Sequence, residues 1–256
     1  MAYSLISAVS GTPEIDELVP ATAPTGIFNP WPPIPLGAKI CALDPVWGPA
    51  EFIFVKFGGS VRQFGLCVIT PTLNTTTRQY EPVATEVPNT ANLARPVYVA
   101  QCSGAASANQ FGWVMFAGLT PINGTASVAA AVPVGIIAAG QVGASSAGKE
   151  LQGATSILAA TNTVVKASVA GAHGQTGQNT IQLANVDGLF VGGYVAGTGV
   201  GAANFITGID PINNVITVNV VNSALVTGNV TQTANNATIF YNVCQLESAS
   251  AQGRIT

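Results

Sequence analysis

The chain has 256 residues, a length that allows one large domain or two smaller ones. Only 7% of the residues are charged, against about 25% in an average soluble domain, so most of the surface must be uncharged. The net charge is −3 and the eight basic residues are scattered, so the clusters of Lys and Arg typical of nucleic-acid binding are missing and no nucleic-acid partner is expected. No apolar run is long enough to predict a membrane-spanning helix, and no membrane partner is expected.

The first 35 residues are predicted to form an extended, proline-rich arm. Seven prolines lie between residues 12 and 36, and proline at this density is incompatible with a helix or a central strand. Aromatic side chains in such an arm are unfavourable in water unless another surface covers them. We therefore expect Ile27, Phe28, Trp31 and Ile34 to dock the arm onto a neighbouring subunit or a capsid, with a disordered leader as the alternative.

Residues 36–169 are predicted to form a β domain. Its runs Glu51–Phe57, Pro96–Cys102 and Gln110–Ala117 are rich in Phe, Val and Ile and are bounded by Gly or Pro, which is typical of strands. Gly118–Thr125 is predicted to turn the chain after the third of these strands. The aromatic side chains on the strands are expected to form the core and an oligomer interface.

A smaller β module is predicted over residues 179–233, after a glycine-rich linker at 170–178. Asp187-Gly188 and Asn213-Asn214 separate short runs of alternating polarity, and Asn and Gly favour tight turns because they accept a positive φ. Residues 237–256 are predicted to contain a strand that returns to the first domain, followed by a tail. The expected fold class is all-β, with two small barrel-like or sandwich-like domains and the extended arm.

The residues predict no catalytic, cofactor or metal site. His173 is the single histidine and has no acidic or cysteine neighbour in the sequence, so it lacks the further ligands that a zinc ion needs. Gly197-x-Gly199 is spelled like a nucleotide-binding motif, but strand and turn residues follow it where a helix is required. The four cysteines are far apart and are predicted to be buried, unpaired thiols. We expect a protein that is not an enzyme.

Three segments of the first domain read Ala42-Leu-Asp-Pro-Val-Trp-Gly-Pro-Ala-Glu-Phe-Ile-Phe-Val-Lys56, Gly65-Leu-Cys-Val68 and Ala106-Ser-Ala-Asn-Gln-Phe-Gly-Trp-Val-Met-Phe-Ala-Gly118. They resemble strand motifs of a family of tailed-bacteriophage virion proteins, the head decoration or cement proteins. The resemblance covers about residues 36–155. It implies a structural role on the outside of a phage head and supplies no catalytic residues.

The second module contains Val191-Gly-Gly-Tyr-Val-Ala-Gly-Thr-Gly-Val200, Ile206-Thr-Gly-Ile-Asp210 and Val215-Ile-Thr-Val218. These segments are similar to a β repeat of phage tail, fibre and capsid-surface proteins. Gly201-Ala-Ala stands where the repeat has Pro-x-Gly, and Asn219 stands where it has Ser. The similarity implies a phage surface without specifying which one.

These resemblances imply a capsid decoration protein on the virion surface, assembled in the host cytoplasm. Its expected partners are the major capsid protein and further copies of itself, as a homotrimer or a homodimer. A surface of Thr, Asn, Gln, Ser, Ala and Gly suits burial in protein contacts that contain few charges. The alternatives are a tail or fibre component and a host-surface or glycan-binding module. Glycan binding requires exposed aromatic side chains, whereas Phe190, Tyr194 and Phe205 are expected to be core residues.

Overall fold

A computed structural model of the chain describes residues 4–5, 12–23, 31–44, 48–102, 106–124, 128–158, 163–189, 193–202, 204–233 and 240–251. The regular elements among these residues are all β-strands and none is helical, which confirms the predicted all-β fold class. The chain divides into two compact units, a larger one formed by Tyr3–Leu158 and Asn242–Thr256 and a smaller one formed by Ala159–Tyr241.

The strands are numbered in chain order. The larger unit contains β1 (Ser4–Leu5), β2 (Lys39–Asp44), β3 (Gly48–Phe57), β4 (Leu66–Asn74), β5 (Gln79–Glu86), β6 (Tyr98–Ala100), β7 (Phe111–Gly124), β8 (Pro133–Ala138), β9 (Gln141–Ala144) and β10 (Glu150–Leu158). The smaller unit contains β11 (Thr163–Ala167), β12 (Thr180–Gln182), β13 (Tyr194–Thr198), β14 (Asn204–Asp210), β15 (Val215–Val218) and β16 (Thr227–Thr233). The chain then returns to the larger unit through β17 (Phe240–Ala251), which pairs antiparallel with β10.

Five strands of the larger unit pair in a closed ring. Antiparallel pairs join β3 to β7, β7 to β6, β6 to β4 and β4 to β5. β5 then pairs with β3 in parallel, with Lys56 opposite Val83 and Phe57 opposite Ala84. Closure leaves these strands without a free edge between them, as in a small barrel. One core cluster consists of Val55, Phe57, Val61, Cys67, Ala84, Ala100, Cys102, Ala106 and Val114.

β7 is 14 residues long and belongs to two rings. Its first half pairs with β3 and β6, and its last residue, Gly124, pairs with Val142 of β9. From β9 the second ring continues through β8, β10 and β17, and β17 neighbours β7 again. The long strand therefore joins the two halves of the larger unit.

The predicted turn at Gly118–Thr125 is wrong, because Gly118 lies inside β7. Its φ is +123°, and a Cβ added there would lie only 2.6 Å from the Cβ of Ala50 on β3. Glycine accepts this backbone conformation and this close approach, which other residues resist. Gly118 favours a turn on sequence grounds. In the structure it marks a distortion within a continuous strand instead.

The smaller unit is a six-stranded sheet in the order β11-β16-β13-β14-β15-β12. Its two outer strands meet where Ser168 bridges Leu183, and the Ala184 N–H donates to the Ala167 carbonyl at 2.9 Å. The sheet therefore closes on itself. On sequence grounds, residues 163–167 fall in the first domain. In the structure they form β11, which pairs along its whole length with β16 and closes the sheet of the smaller unit. The boundary between the units accordingly lies after Leu158.

Candidate interaction surface

An aromatic cluster lies on the β3–β7 pair of the larger unit. Phe54 and Trp113 are opposite each other across the two strands, with ring centroids 5.1 Å apart in an edge-to-face arrangement. Phe111 stacks against Phe54 at 6.4 Å. Val114 belongs to the core cluster, and side chains alternate along a strand, so Trp113 and Phe111 lie on the opposite face of β7 from Val114. We call Phe54, Phe111 and Trp113 the aromatic face.

Residues 12–20 of the N-terminal arm cover the aromatic face. Val19 and Phe111 exchange two backbone hydrogen bonds of 2.9 Å each, and the Trp113 indole N–H donates to the Pro13 carbonyl at 3.1 Å. Ile15 is 5% exposed and Val19 is 2% exposed. The start of the arm is therefore part of the fold of the larger unit, joined to it by main-chain pairing and by apolar burial.

The residues that seat the arm differ from those predicted to dock it. Ile15 directly follows the exposed Glu14, Glu17 is also exposed, and the Glu17 N–H donates to the Glu14 carbonyl at 3.1 Å. This turn leaves the two carboxylates in solvent and directs Ile15 inward. The sequence signal is an isolated apolar residue between acidic neighbours, which does not reveal its partner far along the chain.

The four predicted docking residues fall into two groups. Ile27 and Phe28 lie outside the described residues, whereas Trp31 and Ile34 are described and half-buried. The Trp31 indole N–H donates to the Pro20 carbonyl at 3.0 Å, so its polar atom is bonded within the arm. Trp31 and Ile34 keep part of their apolar surface exposed to solvent.

A half-open groove of about 210 Å³ lies elsewhere on the larger unit, and its lining includes Lys39, Tyr98, Phe116 and Ser248. The Lys39 ammonium lies 5.2 Å from the centroid of the Phe116 ring, within cation–π distance. Burial raises the pKa of the Tyr98 hydroxyl, and the nearby Cys67 thiol adds to the effect. The groove is thus lined by a lysine, by an aromatic ring and by a tyrosine whose phenol stays protonated at neutral pH.

Three of the four cysteines are buried, as predicted, whereas Cys41 is exposed and that part of the prediction is wrong. Cys41 lies on β2, where the neighbouring Ala42 takes the inward position and alternation directs the thiol outward. Burial raises the pKa of the Cys102 thiol to about 11 and that of Cys244 to about 12. Burial also raises the pKa of Cys67, with smaller contributions from Cys102 and Glu86. The buried thiols are therefore neutral and poor nucleophiles.

An aromatic pair lies on the outer face of the smaller unit. Tyr194 and Phe205 are cross-strand neighbours on β13 and β14, with ring centroids 6.2 Å apart and planes at 69°. Both are half-buried, whereas the adjacent Val195 and Asn204 are buried on the opposite side of the strands. The expectation that Tyr194 and Phe205 are core residues is wrong, and Phe190 lies outside the described residues.

Within the described parts of the chain, no three His, Cys, Asp or Glu side chains come together as metal ligands. His173 is half-buried, and its Nδ1 lies 3.1 Å from the Thr180 hydroxyl. Across the same described residues, there is no helix with the length and apolar character to cross a membrane.

Comparison with known proteins returned no match to a protein-family model, to a curated protein or to a solved structure.

Proposed function

We propose that this chain is a non-enzymatic structural protein of a tailed bacteriophage, which binds the outer face of the icosahedral head and stabilises contacts between capsomers. The proposal is carried by the composition of the protein's surface, which has few charges and several exposed apolar side chains. Charged residues make up only 7% of the chain, and ten large apolar side chains among the described residues are more than a third exposed. An isolated soluble protein relies on surface charge for solubility, so such a surface favours a protein that lives within an assembly.

Two of the most exposed apolar side chains lie on well-defined backbone, one in a turn and one at the start of a strand. Ile212 is 89% exposed, and the Asp210 carboxylate fixes its turn by accepting from the Ile212 and Asn213 N–H groups at 3.0 and 3.1 Å. Tyr80 is 72% exposed at the end of the β4–β5 hairpin, directly opposite Leu73, which is 48% exposed. Because the backbone at these positions is already ordered, little backbone entropy is lost when a partner covers the side chains, which favours a docking role.

The mechanism is additive burial. Each copy contributes modest, mostly uncharged contacts across capsomer boundaries, and many copies together resist the pressure of packaged DNA through multivalency. The expected partners are the major capsid protein and further copies of this chain, as a homotrimer or homodimer, on a virion assembled in the host cytoplasm. The resemblance of residues 36–155 to head decoration proteins supports the same role, and a tail or fibre position is the alternative within the virion.

The proposal is tested by adding the purified full chain to capsids that lack it and measuring co-sedimentation. Substitutions Ile34→Asp and Tyr80→Asp are expected to weaken binding by about tenfold or more each, because a charge enters an apolar contact. Thr75→Asp, on the exposed turn near Tyr80, is the matched control for added charge and is expected to bind normally. The proposal fails if the unmodified chain does not bind such capsids.

Deletion of the whole arm is a poor test of whether the arm binds capsids. Removing residues 1–35 also removes Ile15 and Val19, which cover the aromatic face, so loss of binding would follow from damage to the larger unit alone. Single substitutions at the half-buried Ile34 and the exposed Tyr80 avoid this problem because they leave the seated part of the arm intact.

A glycan-binding role for the smaller unit is a second candidate, favoured by the outward Tyr194 and Phe205 pair. Aromatic rings on an uncharged polar surface suit the apolar faces of neutral sugars. Binding of the full chain to an array of neutral oligosaccharides is the test. Tyr194→Ala and Phe205→Ala are expected to abolish any signal, whereas Tyr80→Ala, at an exposed tyrosine of the other unit, retains it. A signal that survives both substitutions contradicts this role.

A further inference from the structure

Three polar side chains meet on neighbouring strands of the five-stranded ring. Lys56, on β3, donates from Nζ to Oε2 of Glu81, on β5, at 3.0 Å. Asn74, the last residue of β4, donates from Nδ2 to Oε1 of the same carboxylate at 2.5 Å. The Lys56 and Glu81 side chains are only 23% and 18% exposed, and Asn74 is half-buried. One carboxylate therefore holds a primary amine on one oxygen and a carboxamide on the other.

The Asn74 carboxamide is bonded at both of its polar atoms. While Nδ2 donates to Glu81, Oδ1 accepts from the backbone N–H groups of Thr76 and Thr77 at 2.9 and 3.2 Å. Two N–H donors on a carbonyl oxygen stabilise the negative charge that this oxygen acquires when a nucleophile adds to the carbonyl carbon. The turn after β4 therefore activates the Asn74 carboxamide toward nucleophilic attack.

We propose that Lys56 and Asn74 react to form an isopeptide bond, an amide that joins their side chains, and that Glu81 moves the protons. A lysine amine is a nucleophile once it has lost its proton. The flexible stem of lysine allows Nζ to move from Glu81 to the Cγ of the carboxamide bonded to the same carboxylate. Holding the two reacting groups together in this way replaces an encounter in solution and favours the reaction.

The charge state of Glu81 suits its role as the first base. Burial raises the pKa of this carboxyl, but the hydrogen bonds from Asn74 and Lys56 outweigh burial and hold the pKa below its ordinary value. At neutral pH the group is therefore a carboxylate, the form that accepts a proton. Such a carboxylate is a weak base, so the reaction is expected to be slow.

The reaction balances without a further reactant. Glu81 takes one proton from the Lys56 ammonium, and the lone pair of the neutral amine adds to Cγ of Asn74, which moves the carbonyl electrons onto Oδ1. Glu81 then gives its proton to Nδ2 and takes a second one from Nζ. The carbonyl re-forms as the Cγ–Nδ2 bond breaks and ammonia leaves. The ammonia takes the proton held by Glu81, which returns to its carboxylate form.

Lysine and asparagine also meet at two other places in the described part of the chain. Lys149 donates from Nζ to Oδ1 of Asn89 at 2.8 Å, and Lys166 donates from Nζ to Oδ1 of Asn185. Neither lysine forms an ion pair with a carboxylate among the described residues. Because these pairs lack a group that moves protons, they are internal controls and are expected to stay unlinked.

The link would reinforce the pairing that closes the ring. β3 and β5 pair in parallel at Lys56–Val83 and Phe57–Ala84, and a parallel pairing is slightly less stable per residue than an antiparallel one. An isopeptide bond from β3 to β4 spans β5 and so joins both sides of this pairing. A crosslink also restricts the unfolded chain, so the linked larger unit is expected to melt about 5–10 °C above unlinked Lys56→Arg. Linking is a property of this chain alone, whereas its use against the pressure of packaged DNA rests on the proposed function.

Mass spectrometry of the purified full chain, incubated for days at neutral pH, tests the proposal. The intact mass is expected to lie below that of the sequence by one ammonia. Trypsin is expected to leave a branched peptide in which residues 40–62, uncut at Lys56, are joined to residues 63–78 through Asn74. Attack on Asn74 by its own backbone would also release ammonia, but it would leave residues 63–78 as a separate peptide. A chain that keeps its full mass, or that loses ammonia without the branched peptide, overturns the proposal.

Substitutions separate the roles of the three groups. Lys56→Arg keeps a positive charge beside Glu81 but is always protonated, and Asn74→Ala removes the amide, so both are expected to keep their full mass. Glu81→Gln is expected to slow linking about 100-fold or more, because an amide does not carry protons. Lys149→Arg, in a control pair, is expected to link like the unmodified chain.

Circular dichroism checks the folding of each variant, and the branched peptide of the unmodified chain tests the proposal independently of them. A branched peptide from Lys56→Arg, or linking of Glu81→Gln at the unmodified rate, contradicts the assigned roles. None of these experiments involves capsids, so their failure is distinct from failure of the proposed function.

Discussion

The indole N–H of Trp113 donates to the carbonyl of Pro13 at 3.1 Å, across 100 positions of sequence. Trp113 has no exposed surface, and its indole N–H requires a partner because an unpaired buried donor is costly. The arm supplies that partner. The bond therefore links the stability of the larger unit to the position of its N-terminal segment.

Trp113→Phe is expected to lower the free energy of unfolding by about 1–3 kcal/mol. The substitution removes the donor to Pro13 and leaves a small void beside Phe54. Denaturant unfolding measures the loss, and hydrogen exchange at the Val19 amide is expected to accelerate because the arm is held less firmly. Unchanged exchange at Val19 would show that the bond does not hold the arm.

Val19→Asn is expected to release the arm from the aromatic face. Val19 is 2% exposed, and a polar amide there must be buried without an arranged partner, at a cost of about 2–3 kcal/mol. Limited proteolysis is expected to cut the variant within residues 12–23 much faster than the unmodified chain. Ala21→Asn, at an exposed position of the same segment, serves as the control. Equal cleavage rates for the two variants would contradict the seating of Val19.

Gly118→Ala is expected to destabilise the larger unit by about 3 kcal/mol. An added Cβ would meet the Ala50 Cβ at 2.6 Å, and the φ of +123° is unfavourable for alanine. Gly48→Ala is the matched control, because Gly48 also has a positive φ, +79°, but nothing lies within 4 Å of an added Cβ. The control is expected to cost about 1–2 kcal/mol. Equal losses of unfolding free energy in the two variants would show that the close approach of Ala50 is not the cause.

The buried thiols are expected to make stability fall in alkaline solution. Burial raises the pKa of Cys102 to about 11 and of Cys244 to about 12, above the value of about 8.5 in an unfolded chain. Each thiol therefore contributes stability that is fully present below about pH 8.5 and is lost as the pH rises toward the folded-state pKa, by about 1.4 kcal/mol per pH unit.

Substitution separates this effect from the titration of other groups. Cys244→Ala is expected to make the fall in unfolding free energy between about pH 9 and pH 11 shallower by about 1.4 kcal/mol per pH unit. Cys41→Ala, which removes the exposed thiol, is the control with which the slope of Cys244→Ala is compared. An unchanged slope in Cys244→Ala would contradict the burial of that thiol in the folded state.

Local patterns predict much of this fold. The all-β class follows from short runs of Phe, Val and Ile between Gly and Pro. Asp187-Gly188 and Asn213-Asn214 both lie in turns, with positive φ at Gly188 and Asn214. These features are encoded within a few residues, because turn chemistry and alternation depend on neighbours in the chain.

Features that depend on distant residues are not predicted. Gly118 favours a turn in isolation, and only the approach of Ala50 reveals a distorted strand. Ile15 and Val19 carry no local sign of burial, since their partners Phe111 and Trp113 lie far along the chain. The outward position of Tyr194 likewise depends on which face of its strand the closed sheet encloses, and an aromatic residue on a strand fits either face.

The central proposal, a structural role on a phage head, is tested most directly by measuring the amount of this chain in purified particles of a phage whose genome encodes it. Quantitative mass spectrometry gives its ratio to the major capsid protein. We expect about one copy per capsid subunit, or about one third of that if only some symmetry-related sites are filled. A few copies per particle would place the chain in the tail or a fibre, and its absence from particles would contradict a virion role.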